Sequence, residues 1–129
     1  MFGVVFFLLA WGAPIAWGGV GNHSLYLDEN GSLWAMGDND NGQLGDGSNT
    51  HRKTPVKIVD ANVTKVSAGD SHGLFLMNDG SLWAMGRNTE GQLGDGTTTN
   101  RTSPVQVGSS GVTAVSGANY HSLFLKSDG

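Results

Sequence analysis

The chain has 129 residues, and carries 7 Lys and Arg against 11 Asp and Glu, a formal charge of −4. That is room for about one domain, with no electrostatic footprint for nucleic acid, which calls for a basic patch. Cysteine is absent, which removes disulfides, thiolate nucleophiles and Cys-type zinc sites; glycine is high, at 21 residues, without the period of collagen.

The first 20 residues are apolar, and no charged side chain precedes Asp28. An apolar run closed by small residues resembles a secretory signal with cleavage between Ala10 and Ala13, although no Lys or Arg precedes it. A membrane-spanning helix is a second reading, interrupted by Gly12, Pro14, Gly18 and Gly19. A third comes from the repeat that follows.

His23, His72 and His121 stand 49 residues apart, as do Gly31, Gly80 and Gly129. Trp34 and Trp83, Pro55 and Pro104, and two copies of GQLGDG (42–47 and 91–96) obey the same spacing. Residues 31–79 laid over 80–128 match without a gap at 27 of 49 positions. One supersecondary unit is therefore copied about two and a half times.

Each unit reads as strands. HSLYLD and SLWAMG flank Glu29-Asn30-Gly31, and HGLFLM and SLWAMG flank Asn78-Asp79-Gly80, the signature of a hairpin closed by a residue of positive φ. PVKIV (55–59) and PVQVG (104–108) follow the GQLGDG stretches, each expected to begin at its proline. VTKVSAG (63–69) and VTAVSGA (112–118) lead into the next histidine. The units fall near 21–59, 63–108 and 112–129. Leu82 and Ala84 oppose Trp83 and Met85, and Leu74 and Leu76 oppose Phe75, so both faces of the hairpin are apolar. A sandwich strand with one wet face would alternate instead. The expected fold is all-β: a partial β-propeller of about two and a half four-stranded antiparallel blades of 49 residues each. Ser67, Ala68 and Gly69 suit a blade's crowded inner end. Shifted by one period, FFLLA and PIAWGGV become degenerate strands of the first unit, the third reading of the N-terminus.

GQLGDG invites three chemical readings. It lacks the Lys of a phosphate-binding P-loop, and its glycines are wrongly spaced for a dinucleotide fingerprint. Asp38, Asp40 and Asp46 suggest calcium, but an EF-hand register puts Gly37 first and Ser48 twelfth, and the second copy has Arg87 and Thr89 for Asp38 and Asp40. The remaining reading is structural: glycines for positive φ, Leu44 and Leu93 as plugs, and Asn39, Asn88, Gln43 and Gln92 bonded to loop backbone. The three in-register histidines are expected to make one shared local hydrogen bond. His51 is expected to be solvated, and Trp34 and Trp83 to fill the blades. No nucleophile elbow or isolated carboxylate pair is present, so no enzyme, cofactor or metal is expected.

Between the copies, variation gathers beside the fixed loop. Asp38, Asp40 and Asn41 become Arg87, Thr89 and Glu90, and Asp70-Ser71 becomes Asn119-Tyr120. Exposed variable loops on a repeated scaffold are where partner contacts concentrate, so Asp38, Asp40, Asn41, Arg87, Thr89, Glu90 and Tyr120 are the candidate contact residues.

The pattern Gly69, His72, Asp79-Gly80, Trp83, Gly86, Asn88, Gly91-Gln92-Leu93-Gly94, Gly96 and Pro104, with its counterpart from His23 to Pro55, resembles the regulator of chromosome condensation repeat family in its bacterial, alpha-tubulin-suppressor-like style. The resemblance covers about residues 20–129. It departs from the family at Met36 and Met85, where Trp is frequent. It implies a seven-bladed propeller, and seven such units would need about 343 residues, so the sequence reads as a fragment with open blade edges prone to self-association. The family includes exchange factors for a small GTPase, chromatin binders and a secreted bacterial β-lactamase inhibitor, and none of their contact residues maps onto a motif here. The expected function is a non-enzymatic protein-interaction scaffold with an unidentified protein partner. Alternatives are a structural or regulatory repeat region of an exported multidomain protein or enzyme, and an exchange-type regulator by family analogy. Localisation follows the N-terminus: secreted or cell-surface if it is a signal, otherwise cytoplasmic.

Overall fold

The computed structural model describes Trp17–Gly18 and residues 21–129. Their strands are β1 (Trp17–Gly18), β2 (His23–Leu27), β3 (Leu33–Gly37), β4 (Arg52–Val59), β5 (Val63–Ala68), β6 (His72–Met77), β7 (Leu82–Gly86), β8 (Arg101–Gly108), β9 (Val112–Gly117) and β10 (Ser122–Lys126). Two four-stranded antiparallel meanders, β1-β2-β3-β4 and β5-β6-β7-β8, are followed by the pair β9-β10. Among the described residues no helix is long and apolar enough to cross a membrane.

The 49-residue period is also a period of pairing. His23 lies opposite Gly37, and His72 opposite Gly86. Trp17 opposite Tyr26 is likewise one period before Val66 opposite Phe75. The signal and spanning-helix readings, and FFLLA as a strand, lie outside the described residues.

The β2-β3 and β6-β7 hairpins have the same closure. Gly31 N donates to Asp28 O and Asp28 N to Ser32 O; Gly80 N donates to Met77 O and Met77 N to Ser81 O. Gly31 and Gly80 end these three-residue loops at φ of 73° and 80°, the bulged turn in which glycine avoids a Cβ clash.

The outer strands differ from expectation. Pro55 and Pro104 lie within β4 and β8, three residues after the strands start. The register slips between Ala35 and Gly37 and between Ala84 and Gly86, leaving 53–55 and 102–104 as extra chain on the edge strand. A residue without an N–H is tolerated at such an edge bulge.

The two faces of the central sheet serve two cores. Phe75 and Met85, with Trp83 and Met77 partly buried, join Leu25, Leu27, Leu33, Ala35 and Leu44 of the first sheet. Leu74, Leu76, Leu82 and Ala84 join Leu93, Val112 and Val115 toward β9-β10. The small residues are crowded: a Cβ on Gly69 would overlap His72 and the Ala118 carbonyl, and one on Gly117 would lie 2.9 Å from Gly69 N.

Candidate functional site

The GQLGDG loops are built around one buried asparagine each. Asn39 Nδ2 donates to Asp46 Oδ1 (3.1 Å), Ser48 O (3.0 Å) and Thr50 O (3.0 Å), and its Oδ1 accepts from Leu44 N (3.0 Å). Asn88 repeats this on Asp95 (2.9 Å), Thr97 O (3.1 Å), Thr99 O (3.0 Å) and Leu93 N (3.0 Å). Gln43 and Gln92 accept from Asn41 N and Glu90 N. Leu44 and Leu93 are buried beneath the loops. All six loop glycines have positive φ, between 73° and 81°. The loop is a backbone solved by side-chain amides, as its repetition suggested.

Each loop also holds an ion pair that the sequence reading missed. Arg52 Nε meets Asp46 Oδ2 and Arg101 Nε meets Asp95 Oδ2, both at 2.7 Å, with the carboxylates almost wholly buried. Burial pushes the Asp95 carboxyl up, but bonds from Thr97, Arg101 and Asn88 outweigh it and hold it well below the usual carboxylate range. Burial likewise opposes, and Ser48, Arg52 and Asn39 overcome it, at Asp46. Arg52 and Arg101, with Thr50 and Thr99, are the matching residues within a largely changed stretch, 48–53 against 97–102.

The candidate contact residues flank these loops. Arg87 Nη2 meets Glu90 Oε1 (2.7 Å), Arg87 Nε donates to Thr89 Oγ1 (2.9 Å), and the Arg87 guanidinium lies 5.5 Å from the centre of the exposed Tyr120 ring. Four of the seven thus form one cluster between the loop after β7 and the turn before β10. Asn41 Oδ1 accepts from Asn100 Nδ2 (3.4 Å), joining the first loop to the second sheet. Asp38 and Asp40 converge on His51, whose Nε2 is 3.3 Å from Asp38 Oδ1 and 2.8 Å from Asp40 Oδ1. His51 is exposed, as expected, and is also paired, because Asn39 folds residues 48–50 back over 38–40. Asp40 raises its pKa. Asp46 faces Arg52 and takes no part, so the Asp38-Asp40-Asp46 calcium grouping does not form.

The in-register histidines do not share one bond. Ser122 Oγ donates to Gln92 O (2.7 Å), so His72 Nε2 donates to Ser122 Oγ (2.9 Å). One period earlier Gly73 stands in place of Ser122, and both ring nitrogens of buried His23 have no hydrogen-bond partner among the described residues. Burial first, then the neighbouring His72, lowers its pKa to about 4. His121 is exposed. Trp34 and Trp83 are half-buried and stack on Tyr26 and Phe75, each at 6.3 Å between ring centres.

The regulator of chromosome condensation (RCC1) repeat model matches residues 30–76 and 79–125, and a second model of the same repeat matches 63–92. The chain belongs to the RCC1 repeat family. No curated protein matches it by sequence. Human WBSCR16 superposes on 84% of the chain with a TM-score of 0.69 and 29% identity. Yeast RCC1 (Prp20), solved bound to Kap60, does so over 84% with 0.68 and 26%. Prp20p from Saccharomyces cerevisiae, studied for its binding to Gsp1p and histones, covers 93% with 0.69 and 18% identity, which supports the fold alone. The chain spans 30%, 26% and 34% of those proteins. The RCC1-type sheets described above are blades of a partial β-propeller.

Proposed function

We propose that this RCC1-repeat chain is a non-enzymatic protein-interaction scaffold whose contact face comprises Asp38, Asp40 and Asn41 of the first blade and Arg87, Thr89, Glu90 and Tyr120 beyond it. One observation carries the reading: the buried asparagine makes the same bonds in both repeats, while the residues just before the loop change from Asp38, Asp40 and Asn41 to Arg87, Thr89 and Glu90, with Tyr120 beside Arg87. A scaffold held constant under a changed surface is what partner specificity requires. The exposed Tyr120 under the Arg87 guanidinium matches the residue types that anchor protein interfaces. Exchange activity on a small GTPase rests on family analogy alone.

The test is site-specific photo-crosslinking in the native cell. A crosslinker at Thr89 or Tyr120 is expected to capture one recurring protein, and one at Lys57 on the outer strand is not. The purified partner should then bind at least tenfold more weakly to Arg87→Glu, the loss typical of an interface anchor. Equal capture from all three positions, or unchanged affinity, would sink the proposal.

A further inference from the structure

We propose that Asp38, Asp40 and His51 hold a divalent transition-metal ion of the Zn²⁺ class. This inference is independent of the partner reading. The three ligand atoms all lie within 4.8 Å of one another. Oxygen and nitrogen donors around a tetrahedral ion stand about 3.4 Å apart. His51 Nε2 and Asp38 Oδ1 are 3.3 Å apart, and the 2.8 Å between His51 and Asp40 need open only by a few tenths of an ångström.

The outer supports are in place. Gln43 Nε2 donates to Asp38 Oδ2 (3.2 Å), leaving Oδ1 toward His51. Asn49 Nδ2 donates to Asp40 O (3.0 Å), tying the two chain segments together. Such bonds orient ligands before an ion arrives. An imidazole beside two carboxylates favours zinc-like ions over calcium or magnesium, which prefer oxygen alone. Three protein ligands leave a fourth position for water.

The second repeat supplies an independent comparison. There the same backbone positions carry Arg87, Thr89 and Asn100, none a carboxylate or histidine. Arg87 bonds Thr89 and Glu90, so a covalently fixed cation sits in the equivalent cluster. In the first repeat two carboxylates meet with no Lys or Arg partner among the described residues. Only His51 faces them, and it is the single histidine outside the 49-residue register. The cation that the second repeat builds in covalently, the first can take from solution.

The test uses the full chain without a histidine tag. Zn²⁺ titrated calorimetrically at pH 7.5 is expected to bind saturably, one ion per chain. His51→Asn, which the second repeat shows the scaffold accepts, and Asp40→Asn should each weaken binding at least tenfold, as loss of one of three ligands implies. Mn²⁺ should broaden amide resonances of residues 38–51 and leave 87–100 sharp. Absent binding, affinity unchanged by His51→Asn, or equal broadening at the second loop would each overturn the proposal.

Discussion

The two GQLGDG loops are the same in sequence and internal bonding, and different in surroundings. A Cβ on Gly42 would lie 2.7 Å from Thr102 Cα, and one on Gly45 2.6 Å from Met85 Sδ. At Gly91, Gly94 and Gly96 a Cβ would meet nothing within 4 Å. Gly47 N also donates across the blade boundary to Thr102 O (2.8 Å). The first loop is therefore both a turn and a tight inter-blade wedge, whereas the second meets its neighbour through Leu93 and the Ser122 bond to Gln92 O, with no crowding at its glycines. The comparison separates two demands that a repeat fold normally superposes: positive φ, and close approach to a neighbour.

The largest effect should ignore that difference. Asn39→Ala removes the bonds to Leu44, Asp46, Ser48 and Thr50, and Asn88→Ala removes the same set in the second loop. Each strands buried or half-buried partners, at a cost of about 4 kcal/mol. Urea unfolding should show the two costs equal to within about 1 kcal/mol. A much cheaper Asn88→Ala would mean that the wedge, not the asparagine, holds the loop together.

Next comes pH, which probes a second contrast between the repeats. Folded His23 protonates near pH 4, and the unfolded residue near 6.5. Between these values the unfolded chain binds the extra proton, so stability falls as pH drops through the window and levels off below it. The loss attributable to His23 is about 3 kcal/mol, and His72, also lowered by burial, adds in the same direction. Asp46 and Asp95 act in a lower window, losing their contribution only as pH falls below the ordinary carboxylate value. His23→Leu should flatten the stability profile between pH 6.5 and 4; an unchanged slope would assign it elsewhere.

The wedge itself is tested by Gly45→Ala against Gly94→Ala. Both force a Cβ residue to positive φ, at about 1 kcal/mol. Only the first also drives a methyl into buried Met85, adding about 2 kcal/mol of overpacking. In a Met85→Ala background the extra cost of Gly45→Ala should vanish, the pattern of a double-mutant cycle between touching residues. Equal costs in the parent chain would show that the first loop yields as freely as the second.

Legibility in the sequence followed redundancy. Positions that are identical in both copies, such as Asn39 and Asn88 or Leu44 and Leu93, announced a shared structural task. The opposition of Leu74 to Phe75 and of Leu82 to Trp83 was legible because a strand alternates its faces. Proline at a strand start was a sound local rule, and it failed at Pro55 because a register slip made room on an edge strand. His51 carried no period, so nothing in the sequence tied it to Asp38 and Asp40; folding over Asn39 does. The Asp46–Arg52 pair left a faint signal in a retained arginine. Loss of the histidine bond at His23 depended on Gly73, a difference from Ser122 that gains meaning only when the two blades are packed.

That last difference gives the smallest and most discriminating experiment. Gly73→Ser places a hydroxyl where Ser122 stands one period later, within reach of His23 Nε2 and the Gln43 carbonyl. The added Cβ would lie 2.8 Å from Leu25 Cδ1 and 3.1 Å from Met85 Cε, both ends of side chains but both buried. Their displacement costs about 1–2 kcal/mol, and a bond to a previously unpaired buried ring returns about the same. Net stability should therefore move by less than about 1 kcal/mol, too little to decide anything. The titration of His23 decides it. A hydroxyl that donates to Gln43 O must accept from the ring, and acceptance favours the imidazolium more than the neutral ring. Followed by NMR on the His23 ring proton, the pKa should rise from about 4 toward that of an ordinary histidine. A pKa that stays put would mean that burial alone governs His23, and that the missing serine is a difference in sequence without an electrostatic consequence.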